Sequence, residues 1–186
     1  MDKKKNIVVL GVSGSIGKQT LDVVRRHNDK LKVVGLTAFS SEKFLKDVAS
    51  EFNVKNTVLV SNEKNNEEAN KKIEEIINLD ETEIVVNAIS GSAGLIASYS
   101  TLKAGKTLAL ANKESLVVGG DLLIPMAKEN LLPIDSEHGA IFQCLTGEEK
   151  SNINKIHLTA SGGPFYGNKR EELENVTAKD ALKHPT

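Results

Sequence analysis

Apolar residues come in short runs: Asn6-Ile-Val-Val-Leu10, Leu31-Lys-Val-Val-Gly-Leu-Thr37, Asn56-Thr-Val-Leu-Val60, Glu83-Ile-Val-Val-Asn-Ala-Ile89, Lys106-Thr-Leu-Ala-Leu-Ala111 and Leu131-Leu-Pro-Ile-Asp135. Each has the length and composition of a strand. Between them the apolar period lengthens to that of a helix. Ile16, Thr20, Val23, Val24 and His27 fall on one helical face, and further helices are predicted from Glu42 to Phe52, from Leu95 to Ala104 before Gly105, and from Glu114 to about Asn130. The Asn-, Glu- and Lys-rich stretch from Ser61 to Glu75 reads as a solvated surface helix with a loose start, apolar only towards Ile73, Ile76 and Ile77. Strands alternating with helices at this rhythm predict right-handed βαβ units and an α/β fold, a doubly wound parallel sheet. Past Asp135 the pattern shortens to a helix over residues 139–145, a strand over 155–160, and two short helices, the second capped by Thr177 with Asp180 three residues on.

The first strand runs into Gly11-Val-Ser-Gly14-Ser-Ile-Gly17, and a helix follows at once. Strand, Gly-rich turn and helix make a phosphate cradle, because glycines let the backbone approach a pyrophosphate and the helix start offers unpaired N–H groups. The spacing G-x-x-G-x-x-G departs from the dinucleotide fingerprint G-x-G-x-x-G. A Gly-rich turn that binds nothing is the alternative. The second strand ends in Ala38-Phe39-Ser40-Ser41-Glu42-Lys43, with no acid at its tip to hold a ribose 2′-hydroxyl. Ser40, Ser41 and Lys43 suit a 2′-phosphate instead, which favours NADP over NAD; Ser41 equally suits a helix cap.

Composition narrows the class. The chain has 186 residues, enough for one domain and part of another, with 39% hydrophobic and 26% charged residues, as in soluble globular proteins. A net charge of −1 gives no electrostatic case for nucleic acid or an anionic membrane. The basic start, Asp2-Lys-Lys-Lys5, precedes an apolar run too short and too glycine-broken for a signal peptide or a membrane span. Cys144 is the single cysteine, which precludes an internal disulfide and fits a reducing, cytoplasmic setting.

Candidate chemistry gathers at strand ends, where open α/β sheets hold ligands. Asn112-Lys113-Glu114 places an amide, a cation and an acid after the fifth strand; an N-cap with a surface lysine is the plainer reading. In Asp135-Ser136-Glu137-His138, an extended backbone would turn both carboxylates to one side, towards a shared proton or a divalent cation such as Mg²⁺ or Mn²⁺. Asp135 or Ser136 capping a helix, with Glu137 at its positive end, is the alternative. Ser161-Gly162-Gly163-Pro164 can present donors to a phosphate, or simply be a loop.

Taken together, these segments resemble 1-deoxy-D-xylulose 5-phosphate reductoisomerase of the non-mevalonate isoprenoid pathway. The resemblance is carried by Gly11–Gly17, Val85-Val-Asn-Ala88 with Gly91, Leu108-Ala-Leu-Ala-Asn-Lys-Glu-Ser-Leu116, Asp135-Ser-Glu-His138 with Ala140-Ile-Phe-Gln143, Leu158-Thr-Ala-Ser-Gly-Gly-Pro-Phe165 and Ala181-Leu-Lys-His-Pro185. It implies a Rossmann-like domain over residues 1–133 and the start of an α+β catalytic domain over 134–186. It implies NADPH at Ser13, Gly14, Ser15 and Ile16, and around Asn112 and Glu114. It implies Mg²⁺ or Mn²⁺ on Asp135 and Glu137. Substrate contacts are implied for Lys113, Ser136, Glu137, Ser161 and His184, with Lys113 and Glu137 catalytic. The reaction implied is conversion of 1-deoxy-D-xylulose 5-phosphate to 2-C-methyl-D-erythritol 4-phosphate, by an enzyme that is generally a homodimer.

Two features depart from the family. Phe39-Ser40-Ser41 stands where the family shows Gly, a basic residue and Asn. The family also continues past His184-Pro185 with a loop, a further metal carboxylate and a helical region. The chain is therefore expected to be a truncated reductoisomerase with little or no turnover and an exposed apolar patch after Ile134. Rival readings are an NADP-binding redox-sensing module without catalysis, and a semialdehyde dehydrogenase, which would need a cysteine nucleophile at a strand end.

Overall fold

The structure, a computed structural model, describes residues 3–155, 157 and 162–183. Six strands, β1 (Lys5–Leu10), β2 (Leu31–Ala38), β3 (Asn56–Leu59), β4 (Ile84–Asn87), β5 (Thr107–Leu110) and β6 (Leu131–Pro133), form one sheet in the order β3-β2-β1-β4-β5-β6. Every pairing is parallel. This is the doubly wound arrangement, with its crossover reversal between β1 and β4. The intervening helices are α1 (Ser15–Arg26), α2 (Glu42–Glu51), α3 (Asn66–Ile77), α4 (Gly94–Lys103) and α5 (Glu114–Ala127), and α6 (Ser136–Leu145) follows β6.

Strand alternation divides the core. Ile7 and Val9 of β1 join Val33, Leu36, Leu21, Val24, Leu45 and Val48 under α1 and α2. Val8 and Leu10 turn the other way, to Val34, Val58, Ile73, Ile76, Ile77 and Val85 under α3. Leu108 and Leu110 of β5 continue that face beneath Leu102 and Leu123. Burial of both faces explains why these strands read as unbroken apolar runs.

Three expectations are corrected. The inward face of α1 is Gly17, Leu21 and Val24, whereas Val23 is 50% exposed and His27 is fully outside. The expected face was offset because it took Ile16 as an anchor; Gly17 is what the helix presses against the preceding turn. Helix α3 is not merely a solvated surface element: Ala69, Ile73, Ile76 and Ile77 bury it against the sheet. Its start is capped by Asn65, whose Oδ1 accepts from Glu68 N at 2.9 Å. Helix α5 ends at Ala127, is kinked at Gly119 and contains Pro125.

The β1–β2 register shifts between Ile7 and Val8, beside Gly35. A Cβ on Gly35 would overlap the Ile76 side chain and approach Val8 Cγ2 to 3.2 Å. A glycine inside a strand marks such a close approach.

Asn87, at the end of β4, is wholly buried. Its Nδ2 donates to Gly94 O and Ser98 Oγ, both at 2.8 Å, and its Oδ1 accepts from Ile89 N at 3.2 Å. Asn87→Ala takes a partner from Gly94 O, Ser98 Oγ and the half-buried Ile89 N, and is expected to cost about 2–4 kcal/mol. Urea unfolding would register this as a lower midpoint with an unchanged slope.

Contacts divide the chain into Met1–Thr146, which contains the sheet, and Gly147–Thr186. The second unit holds short turns of 3₁₀ helix and α7 (Ala178–Ala181), capped as expected by Thr177: Asp180 N donates to its Oγ1, and Asp180 Oδ2 accepts from Thr177 N at 3.0 Å. The expected strand over 155–160 falls mostly outside the described residues, as do Ser161 and His184.

Candidate functional site

The glycine turn lies at the crossover reversal. Gly11 has φ +76°, and a Cβ there would meet Ala88 O, at the end of β4, at 2.6 Å. Gly14 is the N-cap of α1, and no side chain caps that helix, so its first N–H groups have no side-chain acceptor. An uncapped helix start over a turn with no room for Cβ atoms suits an anion.

Beside the turn is a cavity of about 550 Å³, lined by Gly11, Ser13, Gly14, the end of β2 (Thr37, Ala38, Phe39), α3 and the β4–α4 loop. A smaller hollow of about 200 Å³ shares Gly14 and Ala88 with it and reaches Ser15, Ile16, Ala111, Asn112 and Glu114. Ser13, Gly14, Ser15, Ile16, Asn112 and Glu114 thus line two adjoining hollows. Ser40 and Ser41 are exposed and line neither hollow. Ser41 occupies the N-cap of α2 but makes no side-chain cap bond. Asn66 and Asn70 of α3 do line the larger cavity. Sequence reading missed them because a polar run looks the same whether it faces solvent or a ligand; their i, i+4 spacing on a helix otherwise anchored by Ile73 was the available signal.

Asn112 is 3% exposed. Its Nδ2 donates to Ile89 O and Gly91 O, and its Oδ1 accepts from Ser115 N and Ser115 Oγ. All four of its side-chain hydrogen-bonding positions serve to tie the β4–α4 loop to the start of α5.

The second centre lies at the ends of β5 and β6, adjacent strands in which Leu110 pairs with Pro133. The backbone from Asp135 to His138 is not extended. Asp135 is the N-cap of α6, its Oδ1 accepting from His138 N at 2.7 Å, and Glu137 sits in the first turn. The two carboxylates nevertheless share a neighbour: Lys113 Nζ is 3.9 Å from Asp135 Oδ2 and 3.4 Å from Glu137 Oε2. Convergence comes from the adjacency of β5 and β6, not from strand alternation.

Only one oxygen of Asp135 is used by the cap. Its Oδ2 is buried and accepts no hydrogen bond, although His138 Nδ1 is 3.2 Å away. A buried carboxylate oxygen without a donor is costly unless a cation satisfies it. Glu137 is held at a pKa of about 2, first by the Ser136 hydroxyl at 2.6 Å, then by its own backbone N–H and by Lys113. It therefore offers a charged oxygen at neutral pH. These hard oxygen donors fit Mg²⁺ or Mn²⁺. Among the described residues no group of three or more His, Cys, Asp or Glu is gathered for a metal. Cys144 is exposed on α6, away from any strand end. Among the described residues no helix is long and apolar enough to cross a membrane.

Comparison with known proteins agrees with this geometry. The family described as 1-deoxy-D-xylulose 5-phosphate reductoisomerase matches residues 7–120, and its C-terminal domain matches residues 131–186. The reductoisomerase of Clostridium tetani is 45% identical over 199 residues, covering 97% of this chain and 52% of the relative. That of Thermodesulfovibrio yellowstonii is 44% identical, covering 97% and 51%. The structure of the Zymomonas mobilis reductoisomerase in complex with NADPH superposes with a TM-score of 0.76 at 38% identity, covering 99% of this chain and 52% of that one. A reductoisomerase complex with NADPH, fosmidomycin and magnesium gives 0.73 at 34% identity, covering 97% and 51%. The chain spans about half the length of the curated relatives it matches. A doubly wound sheet, an uncapped glycine turn at its reversal and two carboxylates around a lysine at its edge, matched along nearly all the chain, place this protein in the 1-deoxy-D-xylulose 5-phosphate reductoisomerase family.

Proposed function

We propose that this chain forms the NADPH-binding part, and the opening of the metal- and substrate-binding part, of a cytoplasmic enzyme converting 1-deoxy-D-xylulose 5-phosphate to 2-C-methyl-D-erythritol 4-phosphate. Residues 1–133 make up the first part and 134–186 begin the second. The observation that carries this reading is the buried Asp135 Oδ2, which accepts no hydrogen bond, beside Glu137 and Lys113.

The turn at Ser13, Gly14, Ser15 and Ile16 would receive the pyrophosphate on backbone N–H groups, with Ser40 and Ser41 near the 2′-phosphate. Asn112 fixes the loops bordering the smaller hollow, and Glu114 lines it. Asp135 and Glu137 would hold Mg²⁺ or Mn²⁺. When bound, the two cofactors supply electrophilic polarisation of the sugar-phosphate oxygens and a reductant for the carbonyl. Lys113 contributes a positive charge to the same oxygens, and Ser136, Glu137, Ser161 and His184 complete the substrate contacts. Relatives crystallised with NADPH and with magnesium support this assignment. With two carboxylates at the ion, these 186 residues assayed alone should turn over little or no substrate, and dimerisation belongs to the family's full-length enzyme.

Titration of the protein with NADPH, with Mn²⁺, and with a phosphonate hydroxamate in the presence of Mn²⁺ tests the reading. Binding of all three supports it. NADPH binding without affinity for Mn²⁺ or the hydroxamate would favour the redox-sensing alternative. A further expectation concerns Lys113, whose ammonium lies within 4 Å of both carboxylates and so competes with a cation. Lys113→Met should raise Mn²⁺ affinity about fivefold, from a like-charge repulsion of about 1 kcal/mol at an exposed site. Unchanged or weaker Mn²⁺ binding in that variant would place the ion elsewhere.

A further inference from the structure

The large cavity beside the glycine turn has an uncharged lining with one unusual member. Phe39 sits just past β2, 70% exposed, while its backbone carbonyl is held by Ser61 N at 2.8 Å. The residue is thus fixed in place with its ring uncovered at the cavity rim. Across from it α3 presents Asn66 and Asn70, one turn apart, with Ala69 and Ile73 forming an apolar floor. Neither asparagine amide is engaged in a hydrogen bond with the described residues.

In a doubly wound sheet a dinucleotide places its pyrophosphate at the glycine turn and its ribose beyond the tip of β2. The base then continues past that tip, into the space between Phe39 and α3. A purine presents flat apolar faces and an edge of mixed donors and acceptors. An aromatic ring serves the faces by stacking, and an asparagine amide serves the edge because it both donates and accepts. The cavity volume of about 550 Å³ lies in the range of small-ligand sites.

We propose that Phe39, with Asn66 and Asn70, forms a purine clamp that holds the adenine ring of the coenzyme by stacking and edge hydrogen bonds. The inference rests on the dinucleotide reading above and adds the residues that grip the base. The clamp senses the purine and not the 2′-phosphate, so it contributes equally to NADPH and NADH, and any preference between them resides at Ser40, Ser41 and Lys43.

Calorimetric titration of NADPH and NADH into the wild type, Phe39→Ala, Phe39→Tyr and Asn70→Ala tests the clamp. Phe39→Ala should weaken both coenzymes by the same factor, about tenfold, with the NADPH-to-NADH ratio unchanged. Phe39→Tyr, which keeps a flat ring, should stay within about twofold of wild type, and Asn70→Ala should weaken both severalfold. Melting temperatures should not move for the Phe39 variants, since the residue is exposed. Wild-type affinity in Phe39→Ala, or a loss confined to NADPH, would overturn the clamp while leaving the dinucleotide reading intact. A wild type that binds neither coenzyme would overturn both.

Discussion

Asp135→Asn is expected to lower Mn²⁺ affinity by about a hundredfold or more while leaving the fold unchanged. Removal of even a neighbour of a metal ligand typically costs 10- to 100-fold, and Asp135 supplies one of only two carboxylates at the proposed site. The variant separates two roles that the side chain combines. Its Oδ1 caps α6 by accepting from His138 N, and an asparagine oxygen can do the same. Its Oδ2 is the buried atom without a hydrogen-bond donor; the amide is neutral and, with its oxygen kept at the cap, puts an NH2 group in that place. Stability should therefore change by no more than about 0.5 kcal/mol. Asp135→Ala should lose both metal and cap, with an added cost of about 1 kcal/mol. Calorimetry with Mn²⁺, paired with thermal unfolding, reads both quantities. Undiminished Mn²⁺ binding in Asp135→Asn would remove the ion from this edge of the sheet.

The second large effect is at Gly17. Alanine is the better helix former by about 1 kcal/mol, so an unencumbered Gly17→Ala would stabilise α1. Here the new Cβ would meet Val12 Cα and Val12 O at 2.7 Å and overlap Gly11 O. All three are backbone atoms of the turn and cannot swing aside as a side-chain end can. Overpacking of this kind costs about 1–3 kcal/mol or more, which outweighs the helix gain. The expected net loss is about 2 kcal/mol, or about 4–8 °C in melting temperature. Because relief requires the turn to open, NADPH affinity should fall more than tenfold as well. Gly105→Ala is the control. Gly105 has φ +67° with no atom near the would-be Cβ, so its substitution should cost about 1–2 kcal/mol in strain without touching NADPH binding. Equal loss of NADPH affinity in both variants would mean that stability, and not the shape of the turn, governs binding.

Parts of the molecule were missed for definable reasons. A helical face inferred from apolar spacing was offset because glycine carries no hydropathy, yet Gly17 makes the closest approach in α1. An apolar patch was expected after Ile134, and Ile141 and Phe142 are indeed 39% and 45% exposed; the larger exposed surface, Val117, Val118, Leu122 and Ile124, lies earlier, on α5. That helix is more hydrophobic than amphipathic, so its pattern does not say which side meets the sheet. In the sequence Phe39 stands out only by departing from a family pattern; its position at a cavity depends on α3, which no sequence-local rule brings beside it.

The order of elements, the parallel sheet and the glycine cradle are written in the chain itself, because period, strand length and turn chemistry are local properties that survive without a fold. What only the tertiary structure decided is which distant groups meet. Lys113 reaches Asp135 and Glu137 because β5 and β6 are neighbours with Leu110 beside Pro133, and Asp135 Oδ2 lacks a donor because the cap occupies only the other oxygen. Strand adjacency and burial are set by the packing of the whole sheet, and no local pattern encodes them.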